Sequence, residues 1–310
     1  MLGSWTQDQF GSGTTERIES FVTTAAPTTP INATEASAGE SATRTPTLSL
    51  SLGALGFALW ALGWFLLIAD RSSHAAWILQ VVGPMLVAVG IIAYIDHLAR
   101  RIGIAAVVLG AVGAITCAIA TLPYAINPDK LSSASGMRFG YGATGVGLLL
   151  GFLSVAIALS RKESALEHAG AVCPAGCRCN DVVHASFVSL TTAALGLLLW
   201  GIGFLQLMVS PGGSRMGWIL ATIGTALVAT GITAHIDHLG ARFGRLAIAT
   251  GIASAFIWSL GYLMNALNPT AGFHSTWYTV LFYCYAVGHL LTAVSLVLVI
   301  GRGRRSAATA

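Results

Sequence analysis

The chain has 310 residues, of which 55% are hydrophobic and only 9% are charged, and its net charge is +4. Soluble globular domains carry about 25% charged residues, so this composition excludes an ordinary soluble protein, and it also excludes disorder over most of the chain. The few basic residues lie in loops between apolar segments, as membrane topology requires, which makes nucleic-acid binding a poor interpretation.

Residues 1–47 are rich in Ser, Thr, Ala and Gly, and they contain no apolar run long enough to cross a bilayer. Because such a composition buries too little apolar surface to offset the entropy of ordering, we predict a disordered tail there. Eight apolar segments follow, each near the roughly 20 residues that cross about 30 Å of hydrocarbon. Since backbone groups find no water in lipid, we expect all eight to be helices. We place them at about 48–69, 76–98, 103–126, 141–160, 186–209, 217–239, 245–267 and 276–301.

The segments form two similar sets of four. Trp77 returns as Trp218 and Gly103 returns as Gly244, and the offset in residue number is the same for both pairs. An offset this long and consistent indicates a duplicated four-helix unit. Four crossings bring the chain back to the side where it started, so the two copies are predicted to be parallel rather than inverted. The predicted organisation is a first repeat at 48–160, a linker at 161–185, a second repeat at 186–301 and a basic tail at 302–310.

The basic residues predict an orientation. Of the 16 Lys and Arg residues, twelve lie on the side that carries both termini. Cytoplasmic loops are enriched in Lys and Arg, so we predict both termini in the cytoplasm and a bacterial-type plasma (inner) membrane. The lipid bilayer is the predicted environment, and other membrane proteins are candidate partners.

A polar motif appears once in each copy, at the end of the second and sixth apolar segments. Its residues are Asp96, His97 and Arg101 in the first copy and Asp237, His238 and Arg242 in the second. A carboxylate inside a bilayer is costly unless it is paired, so such residues are candidates for function by default, and histidine titrates near neutral pH. The motif predicts either a polar membrane site or buried, hydrogen-bonded helix anchors.

Two further histidines extend this candidate site. His235 and His238 are three residues apart, a helical spacing that suits a metal ion or haem. The first copy has Tyr94 where the second has His235, so both copies cannot share such a site. His289 lies inside the last apolar segment, where the first copy has Leu148.

The linker contains a cluster of cysteines. Cys173, Cys177 and Cys179, completed by His184 or His168, could form a tetrahedral zinc site. A stable disulfide is not expected in a reducing cytoplasm. The proline and glycine between the cysteines also suit a simple turn, so both interpretations stay open.

Three functions agree with these features. The first is a transporter or permease-like protein, with the repeat interface as its path and the Asp–His pairs as a gate. The second is an accessory or scaffold subunit of a membrane complex. The third is a haem- or metal-dependent redox protein, and no enzyme motif supports it. We expect most tryptophans to be interfacial anchors or packing residues rather than a ligand site.

Overall fold

The computed structural model describes residues 33–170, 179–210, 213–234, 236–270 and 275–308, and all regular structure in these ranges is helical. The α-helices are α1 (Ala33–Ala69), α2 (His74–Ile92), α3 (Ile95–Ile102), α4 (Ile104–Ile126), α5 (Ala134–Gly170), α6 (Cys179–Val209), α7 (Arg215–Thr233), α8 (Ile236–Phe243), α9 (Arg245–Leu267) and α10 (Thr276–Ala308). A short 3-10 helix, Pro128–Ser132, lies between α4 and α5.

Eight of these helices contain a stretch that is long and apolar enough to cross a membrane. The stretches are Thr47–Ala69, His74–Ile92, Ile104–Ile126, Ala134–Arg161, Phe187–Val209, Arg215–Thr233, Arg245–Leu267 and Thr276–Gly303. Many of their Leu, Ile and Val side chains are exposed on the outside of the bundle, which is costly in water but not in lipid. The chain is therefore a multi-pass membrane protein. The predicted all-α, eight-helix fold is confirmed.

The spanning helices form a closed ring. Along the ring, each of α2, α4, α5, α6, α7, α9 and α10 packs against the next. Helix α1 closes it, because Gly56 packs against Gly83 of α2 and Gly53 packs against Leu296 of α10. A ring of eight helices leaves space along its axis, and that space is where the candidate site lies.

Glycine pairs allow the closest helix contacts in the ring. A Cβ atom on Gly83 would lie 2.8 Å from the carbonyl oxygen of Gly56, and one on Gly224 would lie 2.6 Å from that of Gly196. In lipid, helices associate through such close backbone contact, because larger apolar side chains gain nothing over the lipid tails.

The two halves of the ring have matching helix limits. Helices α7, α8 and α9 begin and end at residues that follow the limits of α2, α3 and α4 by the same constant offset that relates Trp77 to Trp218. The hydroxyl groups of Ser154 and Ser295 each donate to a backbone carbonyl on a neighbouring helix, at Ala106 and Ala247 respectively. A duplicated unit would produce these correspondences, and the duplication itself stays a prediction. Residues 47–161 are called the first half below, and residues 187–303 the second half.

The second and sixth spanning helices end earlier than expected. We predicted them at 76–98 and 217–239, but α2 ends at Ile92 and α7 at Thr233, and the short helices α3 and α8 follow. Helix α3 has Asp96 in its first turn, where a negative charge is favourable near the helix N-terminus. It ends at Gly103, whose φ of +90° lets the chain turn sharply into α4. Short, charged amphipathic helices of this kind are suited to the membrane interface rather than its interior.

Candidate functional site

Four connections between spanning helices meet on one side of the ring, called the loop face below. Arg71 in the α1–α2 connection donates to the Thr279 hydroxyl at 2.6 Å, and His74 Nδ1 lies 3.0 Å from the carbonyl oxygen of Ala125. Gly213 in the α6–α7 connection packs against Pro269 in the α9–α10 connection. Helices α3 and α8 follow the opposite ends of α2 and α7, and that side is called the α3/α8 face.

A cavity of about 550 Å³ occupies the axis of the ring. All eight spanning helices contribute to its wall, and the connections contribute Leu131, Gly213, Pro269 and Thr270, so the cavity reaches the loop face. Most of the wall is aromatic. Its aromatic residues are Trp60, Trp64, Trp77, Tyr124, Tyr141, Trp200, Phe204, Trp218, Trp258, Tyr262, Tyr278, Phe282 and Tyr285, together with His289.

Three rings pack together at the inner end of this cavity. The imidazole of His289 lies 4.2 Å from Trp60 and 4.9 Å from Trp258, centroid to centroid. Phe57 follows at 6.0 Å. His289 is only 5% exposed. The end of the cavity is therefore a cluster of stacked and tilted rings with one imidazole at its centre.

The hydrogen bond of His289 defines which of its nitrogens carries a proton. Nδ1 contacts the carbonyl oxygen of Tyr285, one turn earlier in α10. A carbonyl oxygen only accepts, so Nδ1 must be the donor. In the neutral ring, Nε2 is then an acceptor, and it has no hydrogen-bond partner among the described residues.

Most hydroxyl groups in the wall already have partners. Tyr124 donates to the carbonyl oxygen of Gly136 at 2.8 Å, and Thr144 donates to that of Gly140 at 2.8 Å. Tyr141 is hydrogen-bonded to Tyr278. The hydroxyl groups therefore offer a ligand few unpaired atoms.

The indole groups are different. The N–H groups of Trp60, Trp64 and Trp258 are buried and lack a hydrogen-bond partner in the described part of the chain. Leaving a buried donor unpaired costs about 1–3 kcal/mol. Among the described wall residues there is also no Asp, Glu, Lys or Arg. These nitrogens are enclosed by neighbouring side chains and backbone, so the cavity has an uncharged wall in which Nε2 of His289 is an unpaired polar atom at the inner end.

A second cavity of about 190 Å³ lies beyond this end, lined by the first half of the ring and by Leu197 of α6. It shares Trp60, Cys117 and Leu148 with the large cavity, so the two spaces are neighbours across these three residues. Glycines line the rest of it on α4 and α5: Gly110, Gly113, Gly147 and Gly151.

The corresponding region of the second half is filled. At the constant offset between the halves, Trp258 corresponds to Cys117 and His289 corresponds to Leu148. Ser254 and Thr292 replace Gly113 and Gly151; they hydrogen-bond to each other at 2.8 Å, and Ser254 donates to the Gly288 carbonyl oxygen at 2.7 Å. The second cavity therefore lies where the first half has glycines and the second half has hydrogen-bonded Ser254 and Thr292.

The structure separates the sequence-predicted site residues. His289 lies in the wall of the large cavity, but Asp96 is exposed on α3 at the opposite face. No described residue of α3 or α8 lines either cavity. Asp96 and His289 therefore do not belong to one site, because the chain breaks at residues 93–94 and places Asp96 on a short helix of its own.

Several predicted residues lie outside the described part of the structure. These are Cys173, Cys177 and His235, and the side chains of His97, Arg101, His168, Cys179, His184, Asp237, His238 and Arg242. Among the described residues, no three His, Cys, Asp or Glu side chains form a group that could hold a metal ion. The zinc and haem sites stay predictions.

The aromatic cavity is the feature that the sequence analysis missed. The available signal was helical spacing. Trp60 and Trp64 are four residues apart, and Trp200 and Phe204 repeat this spacing in the second half. Residues at this spacing share one helix face. Two aromatic faces at corresponding positions predict a shared interior surface. Interfacial anchors, in contrast, need not recur at corresponding positions of the two halves.

Comparison of the chain with protein-family models, curated proteins and solved structures finds no match. The function is therefore argued from the chemistry and geometry of the ring alone.

Proposed function

We propose that this protein is a permease-like transporter that binds a small molecule in the large cavity, at the junction of two parallel four-helix repeats. The observation that carries the proposal is the cavity itself, because all eight spanning helices line it and it reaches the loop face. Its volume of about 550 Å³ lies within the roughly 300–1,000 Å³ typical of ligand pockets. Transporters built from repeats bind their substrates near the repeat interface.

The second cavity supports transport rather than simple binding. A path across the membrane must continue beyond the binding site, and Trp60, Cys117 and Leu148 line both spaces. Since none of these three side chains is charged, a modest change in their rotamers would join the cavities. In this proposal the loop face is extracellular and the α3/α8 face is cytoplasmic, in agreement with the distribution of basic residues.

The Asp–His motif takes a different role in this proposal. Helices α3 and α8 lie in the cytoplasmic interface and anchor the ends of the helices that they connect. The glycine that follows each short helix supports this: Gly103 has a φ of +90° and Gly244 has a φ of +100°. The Arg161 guanidinium packs against Gly103, and the Arg302 side chain packs against Gly244. These contacts join the ends of the short helices, and so the helices that carry the motif, to α5 and α10.

Labelling of Cys117 from both sides of the membrane tests the proposal. The protein is prepared with Cys173, Cys177 and Cys179 changed to Ser and Cys284 changed to Ala, which leaves Cys117 as its only thiol. A methanethiosulfonate reagent that is membrane-impermeant because it carries an uncharged sugar group is applied to intact cells and to inverted vesicles. Reference cysteines introduced at the exposed residues Ser72 and Ser160 report which face the reagent reaches.

We expect Cys117 to react from the loop face and also from the α3/α8 face. Gly151→Leu should abolish only the second reaction, because it fills the smaller cavity without a clash: a Cβ there meets only Leu197 Cδ1, at 3.9 Å. Gly301→Leu, where a Cβ meets nothing within 4 Å, is the matched control. Reaction from the loop face alone, or a Gly151→Leu variant that behaves like its control, would reduce the cavity to a binding pocket and refute transport.

A further inference from the structure

The chemistry of the large cavity also limits what it can bind. We propose that the ligand is an uncharged molecule with an apolar or aromatic ring body and one hydroxyl group, which donates to Nε2 of His289. This inference rests on the proposed function, since it names the class of substrate for the same cavity.

The wall excludes a charged ligand. No described wall residue carries a formal charge, and an ion inside the membrane is costly unless an opposite charge pairs with it. Aromatic faces attract a cation, but this gain is smaller than the cost of removing the ion from water without a counter-charge. For an anion, the described wall offers neither a basic side chain nor an attraction to aromatic faces. An uncharged molecule avoids this cost altogether.

The aromatic rings favour a ring-shaped body. Trp64 lies 4.9 Å from Phe282 and 4.8 Å from Tyr285, and Trp77 lies 5.0 Å from Tyr124, centroid to centroid. Aromatic groups prefer offset or edge-to-face neighbours at these separations. A ring that enters the cavity can therefore extend the packing that already exists in its wall.

The polar atoms at the inner end define the functional group. Nε2 of His289 is an unpaired acceptor in the wall. The indole ring of Trp60 packs beside this imidazole, 4.2 Å away between centroids. A hydroxyl group can donate its O–H to Nε2, whereas an ether and a hydrocarbon have no donor to offer it.

The site is present once in each chain. The residue that corresponds to His289 in the first half is Leu148, which has no polar atom in its side chain. Of these two corresponding positions in the described wall, only the one on α10 therefore offers a hydrogen-bond acceptor. We expect one ligand per protein, oriented with its hydroxyl group toward α10.

Equilibrium dialysis of the full chain in lipid nanodiscs tests this inference, with empty nanodiscs subtracted to remove partition into lipid. The probes are tritiated phenol and its methyl ether, anisole, which has a similar ring but no donor. We expect one phenol per chain and anisole binding about 3- to 10-fold more weakly, the effect of one lost neutral hydrogen bond. Phenyltrimethylammonium and benzoate should show no saturable binding.

Two variants identify His289 as the residue that distinguishes these probes. His289→Leu introduces the residue found at the corresponding position of the first half, and it leaves the Tyr285 carbonyl its ordinary helical partner. It should bind phenol and anisole equally. His289→Gln retains an acceptor and should keep the preference for phenol.

Equal binding of phenol and anisole by the unmodified protein would overturn the inference. So would a phenol preference that survives in His289→Leu, saturable binding of either ion in place of phenol, or no saturable binding of any probe. The labelling of Cys117 does not depend on these probes. A path open to both faces with no phenol binding would refute the ligand class and leave the permease proposal standing.

Discussion

The contact between α6 and α7 allows a prediction with a magnitude, because a single methyl group on Gly224 has no room. A Cβ at this position would lie 2.6 Å from the carbonyl oxygen of Gly196, 2.6 Å from the backbone nitrogen of Trp200 and 2.7 Å from Trp200 Cβ. Relaxed contacts need about 3.5 Å, so α6 and α7 must separate by about 1 Å in Gly224→Ala. Two of the three obstructing atoms belong to the backbone and cannot rotate away.

Two opposing terms set the expected change in stability. Overpacking of a tight interface costs about 1–3 kcal/mol. Replacing a helical glycine by alanine returns up to about 1 kcal/mol through helix propensity. We therefore expect Gly224→Ala to lower the free energy of unfolding by about 1–2 kcal/mol. Because Trp200 lines the cavity, its fluorescence should change as well.

Unfolding in mixed detergent micelles, followed by circular dichroism as the fraction of dodecyl sulfate rises, measures this quantity. Gly301→Ala is the control, since a Cβ there meets no atom within 4 Å. It should be neutral or slightly stabilising. Gly196→Ala faces the same contact, with its Cβ 2.6 Å from the Gly224 carbonyl oxygen. The double variant should lose less stability than the sum of the single variants, because the first methyl group already separates the helices. If Gly224→Ala proves as stable as Gly301→Ala, the backbone contact between α6 and α7 is not as close as described.

Four further predictions concern single side chains. Gly288→Ala places a methyl group on Trp258 Nε1, so the indole must move, and the tryptophan emission maximum should shift while Gly301→Ala leaves it unchanged. Tyr124→Phe removes the hydrogen bond to the Gly136 carbonyl and should cost about 1 kcal/mol of unfolding free energy, whereas Tyr283→Phe, on the exposed side of α10, should cost nothing measurable. The hydroxyl and backbone N–H of Ser72 donate to the Asp70 carboxylate and hold its pKa below the usual value. The stabilisation of the folded protein by these bonds is present at neutral pH and is lost as the pH falls through that lowered pKa. Ser72→Ala should therefore raise the pKa of Asp70, measured by the carboxyl carbon chemical shift in a pH titration. Asp96→Asn should leave phenol affinity within about 2-fold of the unmodified protein, since Asp96 lies on α3 away from both cavities. A larger loss of affinity would show that Asp96 contributes to the binding site.

The number of membrane crossings was predictable because it depends on local composition. Each spanning stretch is apolar over its whole length, and its transfer into lipid is favourable whatever the rest of the chain does. The limits of the third and seventh spanning helices, predicted at 103–126 and 245–267, agree with the observed Ile104–Ile126 and Arg245–Leu267 within one residue. In both, a glycine at positive φ precedes the helix, and an asparagine–proline pair follows it.

The limits of α2 and α7 were not predictable by the same reasoning. Hydropathy runs without interruption through Ile92 and Ala93 into Ile95, so composition alone joins α2 to α3. The break coincides with the polar residues Asp96, His97, Arg100 and Arg101, which make α3 a short amphipathic helix suited to the interface. This depends on depth in the bilayer and on packing around Gly103, neither of which can be read from the segment itself.

The sequence by itself determined the membrane class, the helical character of every span and the constant offset that relates its two halves, because these follow from hydrophobicity and from residue identity along the chain. Only the tertiary structure decided that the eight helices close into a ring and that Trp60, Trp258 and His289 meet at its centre. It also decided that Asp96 lies on α3, outside the cavity wall. The physical reason is that a lipid-facing and an interior-facing residue can both be apolar or aromatic. The composition of a span therefore shows that it crosses the membrane, and only helix packing shows which of its faces encloses a site.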